Sequence, residues 1–200
     1  MSTGNPTIVN PVSTADLHGR YYTQAYNGKI LICSLTTATA IPAAATNATP
    51  NFIVWNPAGN TTNFVLGSIS LGFTAGTGIA GAIGFSYIPQ AGAGLATAAA
   101  MSAFTSVTPQ TGISGLPYAG AIKFGSAATV TGTGASVPVR WKWSNLSQGA
   151  PITSTAAAFT MFEEFNGKMI LAPNTAFYID ATVAIAETFQ ISLVGYEAPV

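Results

Sequence analysis

Between Lys29 and Lys123 the chain carries no Asp, Glu, Lys or Arg. A stretch of this length still has to cover its apolar residues, and it has only Thr, Ser, Asn, Gly and Ala to do it with, or other protein. Its uncharged runs are all interrupted by Gly, Pro, Thr or Ser. None reaches the roughly twenty consecutive apolar residues that a transmembrane helix needs. The apolar residues instead alternate over short distances, the period of a strand. In "NFVLGSISLGF", Val65, Ile69, Leu71 and Phe73 share one face opposite Ser68 and Ser70. In "AIGFSYIP", Ile83, Phe85 and Tyr87 oppose Gly84 and Ser86. "VPVRWKWSNL" sets Arg140 and Lys142 against Trp141 and Trp143. "AFYIDATVAIA" groups Phe177, Ile179, Val183 and Ile185 opposite Tyr178, Asp180 and Thr182. "FQISLVGYE" groups Phe189, Ile191 and Leu193.

Turn signals separate these runs every ~8–15 residues, the rhythm of a β-sandwich or barrel. Phe52 to Trp55, for example, is closed by Asn56-Pro57-Ala58-Gly59. The reading is all-β: one antiparallel sandwich domain over residues 21–200, preceded by an arm over residues 1–20 in which Pro6 and Pro11 oppose regular pairing. Gln90–Tyr118 is expected to be a long Gly/Ala-rich loop, and Leu95 to Phe104 within it suits a short helix or an ordered loop. The N-terminus "MSTGNPTIVNP" shows neither the basic nor the apolar region of a secretory leader.

Six acids balance six bases, so no long-range field favours nucleic acid or an anionic membrane. Only 6% of the residues are charged, against about a quarter in an average domain. A lone monomer with so little charge is poorly protected against association, which points to an oligomer or a component of a larger assembly.

The candidate chemistry is sparse. Gly76 to Gly81, "GTGIAG", matches G-x-G-x-x-G, but a strand follows it where a helix should hold the pyrophosphate, and the next acid is Glu163. It reads as a turn. Cys33 is the single cysteine and sits in the apolar run "ILICSL", which predicts a buried, inert thiol and excludes an internal disulfide. His18 is the single histidine, with Asp16 beside it, and no nucleophile signature accompanies them. Glu163 and Glu164 are adjacent, so on a strand they face opposite ways and make a poor acid/base pair. With Asp180, Glu187 and Glu197 they are nearly the whole acidic inventory. Beside the turn at Asn166 they read as solvated carboxylates, and no acidic cluster suits calcium. Trp141 and Trp143, flanked by Arg140 and Lys142, suit a core strand better than a base- or sugar-stacking platform. The Asn-x-Ser/Thr matches at Asn47, Asn60 and Asn145 are expected by chance in a chain this rich in Asn, Ser and Thr. No catalytic, cofactor or metal site emerges. The repeated "YNGKILI" and "FNGKMIL", around Asn27-Gly28 and Asn166-Gly167, read as hairpin corners of the type that needs two positive φ angles. Lys29 and Lys168 after them can reach water over an apolar stem.

The segment from Phe52 to Ile88 resembles a recurrent pattern in virion structural proteins of tailed bacteriophages. An apolar strand ends in Asn56-Pro57-Ala58-Gly59, an alternating strand Phe64–Phe73 follows, then the turn from Gly76-Thr77 to Gly81. The C-terminal end is similar, with Asn166-Gly167, Pro173-Asn174-Thr175 and Glu197-Ala198-Pro199. It departs at Asn174, where Gly is usual, and at Gly195, where a large residue is usual. The resemblance covers about residues 17–90 and 160–199. It implies a jelly-roll or related β-sandwich fold and a non-enzymatic role as a capsid decoration (cement), head-fibre or tail-associated protein, often a trimer, without choosing among them. The leading expectation is a homotrimeric cement protein on the exterior of the virion capsid, with the major capsid protein as partner and no cofactor. The arm and the 90–118 segment are the expected contact regions. The alternative is a tail- or fibre-associated module binding host carbohydrate through Trp141, Trp143, Tyr21, Tyr22 and Tyr118. An enzyme would need some of Glu163, Glu164, Asp180, Asp16 and His18 to converge in a cleft.

Overall fold

A computed structural model describes residues 24–25, 27–41, 47–48, 51–76, 81–88, 105–112, 116–126, 130–131, 139–146, 160–182 and 185–200. Apart from a helical pair at Gln24 and Ala25, the regular structure of these residues is β-strand. The strands are β1 (Ile30–Ser34), β2 (Thr39–Ile41), β3 (Asn47–Ala48), β4 (Ile53–Asn56) and β5 (Thr62–Ala75). There follow β6 (Gly81–Ile88), β7 (Thr105–Val107), β8 (Gln110–Thr111), β9 (Lys123–Ser126) and β10 (Val130–Thr131). The last five are β11 (Val139–Leu146), β12 (Thr160–Glu164), β13 (Ile170–Leu171), β14 (Thr175–Ala181) and β15 (Ile185–Pro199). All the strand pairings are antiparallel.

In the first sheet β12, β5, β15, β1 and β8 lie side by side in that order, with β13 also on β5 and β2 also on β15. In the second the order is β11, β6, β14, β4, β9, β7, and β3 pairs with β10 separately. β15 pairs with β5 from Thr188 to Pro199. β12 and β13 therefore share the other edge of β5, and β1 and β2 share the other edge of β15. Successive strands change sheet: β4 is in the second, β5 in the first and β6 in the second. Likewise β12 and β13 are in the first, β14 in the second and β15 in the first.

The two sheets contribute to one buried cluster. Leu31 and Cys33 of β1, Ile69 and Leu71 of β5, and Phe189, Ile191 and Leu193 of β15 join Ile83 and Phe85 of β6 and Phe177 and Ile179 of β14. Phe64 of β5 meets Phe124 of β9 edge-on, with centroids 5.6 Å apart. Such aromatic pairs add about 0.5–1.5 kcal/mol to simple burial. The alternation expected for 83–87 and 189–193 is realised, and the Cys33 thiol is free and buried. The second sheet is also covered on its other face, where Ile53, Ser86, Tyr178 and Asp180 are buried. This explains why β14 is buried at every position.

Several expectations are corrected. On β5 the alternation slips at Gly67: Ser68 faces Val194 and Leu66 faces Gly195, which leaves Gly67 as an extra residue. The bulge inverts the phase, so Phe64 and Leu66 enter the core cluster and Val65 does not. A Cβ on Gly67 would stand 2.9 Å from the Val194 carbonyl oxygen, so the close approach suits glycine. On β11, Arg140 faces Ser86 and Lys142 faces Phe85, so Trp141 is the extra residue and the predicted strict alternation is broken. The run from Phe177 to Ile185 is not one strand face, because β14 ends at Ala181 and β15 begins at Ile185 in the other sheet. Part of the expected 90–118 loop is strand: β7 extends the second sheet through β9, and β8 pairs with β1. The arm over residues 1–20, His18, Asp16, Tyr21, Tyr22 and the helix candidate 95–104 lie outside the described residues.

Neither Asn-Gly pair is a hairpin corner. At the first, Lys29 N donates to Gln24 O (2.7 Å) and Gly28 N to Ala25 O (2.9 Å). This is the pattern that closes a helical turn, with Gly28 alone taking a positive φ (66°). At the second, Asn166 (51°) and Gly167 (75°) both have positive φ and Lys168 N donates to Phe165 O at 2.9 Å. That turn has the expected type, but it joins β12 to β13, which both lie along β5. The motif is repeated in letters and differs in geometry.

Candidate functional site

While β1, β5 and β15 send one set of side chains into the core, the alternate set forms the other face of the first sheet. The register sets it out in rows. Ile30, Tyr196, Val65 and Ile170 make one, Ile32, Val194, Ser68 and Glu164 the next, and Ser34, Ser192, Ser70 and Phe162 a third. Glu164 is the only charged residue in these rows. Phe162 (57%), Ile170 (56%), Ile32 (42%) and Val194 (37%) are the exposed large hydrophobics on it. Exposed apolar side chains among small serines are the kind of surface that another protein can cover.

Where β5 bulges, this face is concave. A cavity of about 340 Å³ opens over Gly67 and Gly195, walled by Glu164 and Asn166 on one side and by Ile30, Val194 and Tyr196 on the other. The turn beyond β12 is fixed there by Phe165 N and Asn166 N, which donate to Gly67 O at 2.8 and 3.3 Å. Phe165 drives into the core, with ring centroids 5.8 Å from Phe85 and 5.6 Å from Phe177. Asn166 Nδ2 donates to Glu164 Oε2 at 3.3 Å.

The acids singled out from sequence do not converge. Glu163 and Glu164 face Ile69 and Ser68 on β5, positions on opposite faces of the sheet. Asp180 belongs to the other sheet, buried, and accepts from Ser86 Oγ at 3.2 and 3.3 Å. Glu187 is buried as well. Glu197 accepts hydrogen bonds from Tyr118 (2.6 Å) and Thr62 (2.9 Å) and lies 3.9 Å from Lys29 Nζ. Burial, with that bond to Glu197, holds the Tyr118 phenol well above its usual range. Tyr118 therefore ties the segment after β8 to β15 and is not an open sugar platform. Asn60, in the glycosylation-like match, donates to Asn56 Oδ1 at 2.7 Å. The side chains of Asn47, Asn145, Arg140, Trp141, Lys142 and Trp143 lie outside the described set. Among the described residues no group of three or more His, Cys, Asp or Glu could hold a metal, and no helix is long and apolar enough to cross a membrane.

Comparisons with protein families, with curated proteins and with solved structures find no match to this chain. Any functional reading therefore rests on the geometry. Gly67 and Tyr196 were not among the residues singled out from sequence, and Ser68 was named only for the polar face of its strand. A glycine and a serine within an alternating strand give a weak bulge signal, and only the pairing register brings them beside Asn166.

Proposed function

We propose that the chain is a non-enzymatic virion structural protein of a tailed bacteriophage: a jelly-roll-like β-sandwich, trimeric, that decorates and stabilises the outer capsid shell. The observation that carries this is the strand order. Take β1 with β2 as the first segment and β4, β5, β6 and β11 as the next four. β12 with β13, β14 and β15 then complete eight. The first segment pairs with the eighth, the second with the seventh, the third with the sixth and the fourth with the fifth. The eighth also pairs with the third and the seventh with the fourth. Apart from the fourth and fifth, which pair within the second sheet, successive segments fall in alternate sheets. This two-armed pairing supports a jelly-roll reading, an architecture of viral capsid and lectin domains and of cupins. Fold alone does not assign function, so two further features are needed. Low charge and the exposed Phe162, Ile170, Ile32 and Val194 favour a docked existence, with the major capsid protein as partner.

Cryo-electron microscopy of the intact particle tests this. Density for the chain as trimers on the shell exterior is the expected result, together with earlier thermal rupture of particles lacking it. Density confined to the tail would overturn the cement assignment.

A further inference from the structure

The concavity beside Gly67 has a lining that selects for ligand chemistry. Its one charged group is Glu164, and no basic side chain lines it, so phosphate, sulfate and carboxylate ligands are repelled. It is not an apolar slot either, because Ser68, Asn166 and Tyr196 bring hydroxyl and amide groups to it. Ile30, Val194 and the Tyr196 ring supply the apolar side. Its volume, about 340 Å³, falls in the range of small-molecule sites. The polar side is held in place. Asn166 sits in the left-handed region within a hydrogen-bonded turn, and its amide is bonded to Glu164. A held carboxylate–amide pair in a concavity also lined by a tyrosine and two aliphatic side chains matches a neutral pyranose, which offers hydroxyls on its edge and C–H groups on its face.

We propose that this concavity is a saccharide site that takes one neutral pyranose unit of a glycan, its hydroxyls on Glu164 and Asn166 and its C–H face on Tyr196. It does not rest on the virion assignment. A shell-bound protein needs no sugar site, so failure here leaves that reading standing. Because Val194 lines the concavity and also belongs to the exposed apolar set, the site is open only in a chain not docked through that face. The test is therefore run in parallel on the Ile32→Lys, Phe162→Lys variant, whose changes lie outside the lining.

The test is saturation-transfer NMR on the full chain with glucose, galactose, mannose and N-acetylglucosamine, with N-acetylneuraminic acid and lysine amide as charged controls. Binding of at least one neutral sugar at ~1–10 mM is expected, with neither control binding comparably. Asn166→Gly keeps a backbone that suits the turn, and Glu164→Gln keeps the shape of its side chain. Each should weaken binding about tenfold or more with the thermal midpoint little changed. Three outcomes would each overturn the site: no neutral sugar bound at ~20 mM, sugar binding unaffected in both variants, or preferential binding of lysine amide, which would make it a docking point for a basic side chain.

Discussion

Gly195 and Gly59 show how two glycines in one chain are required for different reasons. Gly195 has an ordinary strand conformation, but a Cβ there would lie 2.7 Å from Val65 O and run into the Phe64 ring. Gly59 has open space around it and a φ of 83°. Gly195→Ala should cost about 1–3 kcal/mol through overpacking. Gly59→Ala should cost about 1–2 kcal/mol through backbone conformation alone. Urea titration of both variants checks the pair, and a neutral Gly195→Ala would contradict the contact with Phe64. A large residue at position 195 is thus excluded by this core. Asn174 adopts a positive φ (67°), a conformation that glycine would take freely. Cys33 gives a pH dependence. Burial raises its thiol from 9.0 to about 12. Below pH 9 the thiol is protonated in both states and its contribution is whole. As pH rises from there towards 12, the unfolded thiol ionises and the folded one does not, so stability falls by up to about 1.4 kcal/mol per pH unit. Tyr118, also raised, adds a loss of the same sign from about pH 10 upward. Urea melts at pH ~8 and ~10.5 should show the decline, and Cys33→Ala should reduce it.

The turn between β12 and β13 is the element where sequence and geometry diverge most. Five residues, Phe165 to Met169, stand opposite only Leu66 and Gly67, because Glu164 is paired with Ser68 and Ile170 with Val65. What anchors the excursion is Phe165, wedged against Phe85 and Phe177. Phe165→Ala should therefore cost about 3–5 kcal/mol, measured by chemical denaturation. Asn166→Gly should cost well under 1 kcal/mol, since glycine accepts the same φ. Similar losses from both would mean that the turn conformation, and not the ring, holds the element. The alternating text of β6 and of Phe189 to Leu193 was legible because one face meets the core and period two follows directly. The bulges at Gly67 and Trp141 were not, since an extra residue is decided by the partner strand. The Asn-Gly pairs announced positive φ at Gly28, Asn166 and Gly167, and that much was legible. Which strands they connect was not, because β1 pairs with β15 and β13 with β5, partners far away in sequence. The cavity was hidden for the same reason, as its walls come from β1, β5, β15 and the turn after β12.

At the scale of the molecule, the pairing of first segment with last makes β15 the closing piece. It holds β5 along one edge and β1 and β2 along the other, and its Phe189, Ile191 and Leu193 complete the core. Removing residues 185–200 would leave β5, β1 and β2 with open edges and uncovered apolar faces, so this truncation should yield no cooperative unfolding transition. Such non-local pairing also places refolding in the millisecond-to-second range or slower, which stopped-flow fluorescence can time. Once closed, the molecule still presents Phe162, Ile170, Ile32 and Val194 on the far face of the first sheet, in rows where only Glu164 is charged. That face lacks the lysines that keep sheets apart, and so it should self-associate. Sedimentation velocity should find species larger than the 20.3 kDa chain. Ile32→Lys combined with Phe162→Lys should return the protein to a monomer with its circular dichroism intact, because both side chains point away from the core. A monomeric wild type would remove this face as the seat of association, and an assembly unchanged by the two lysines would move the contact to another surface.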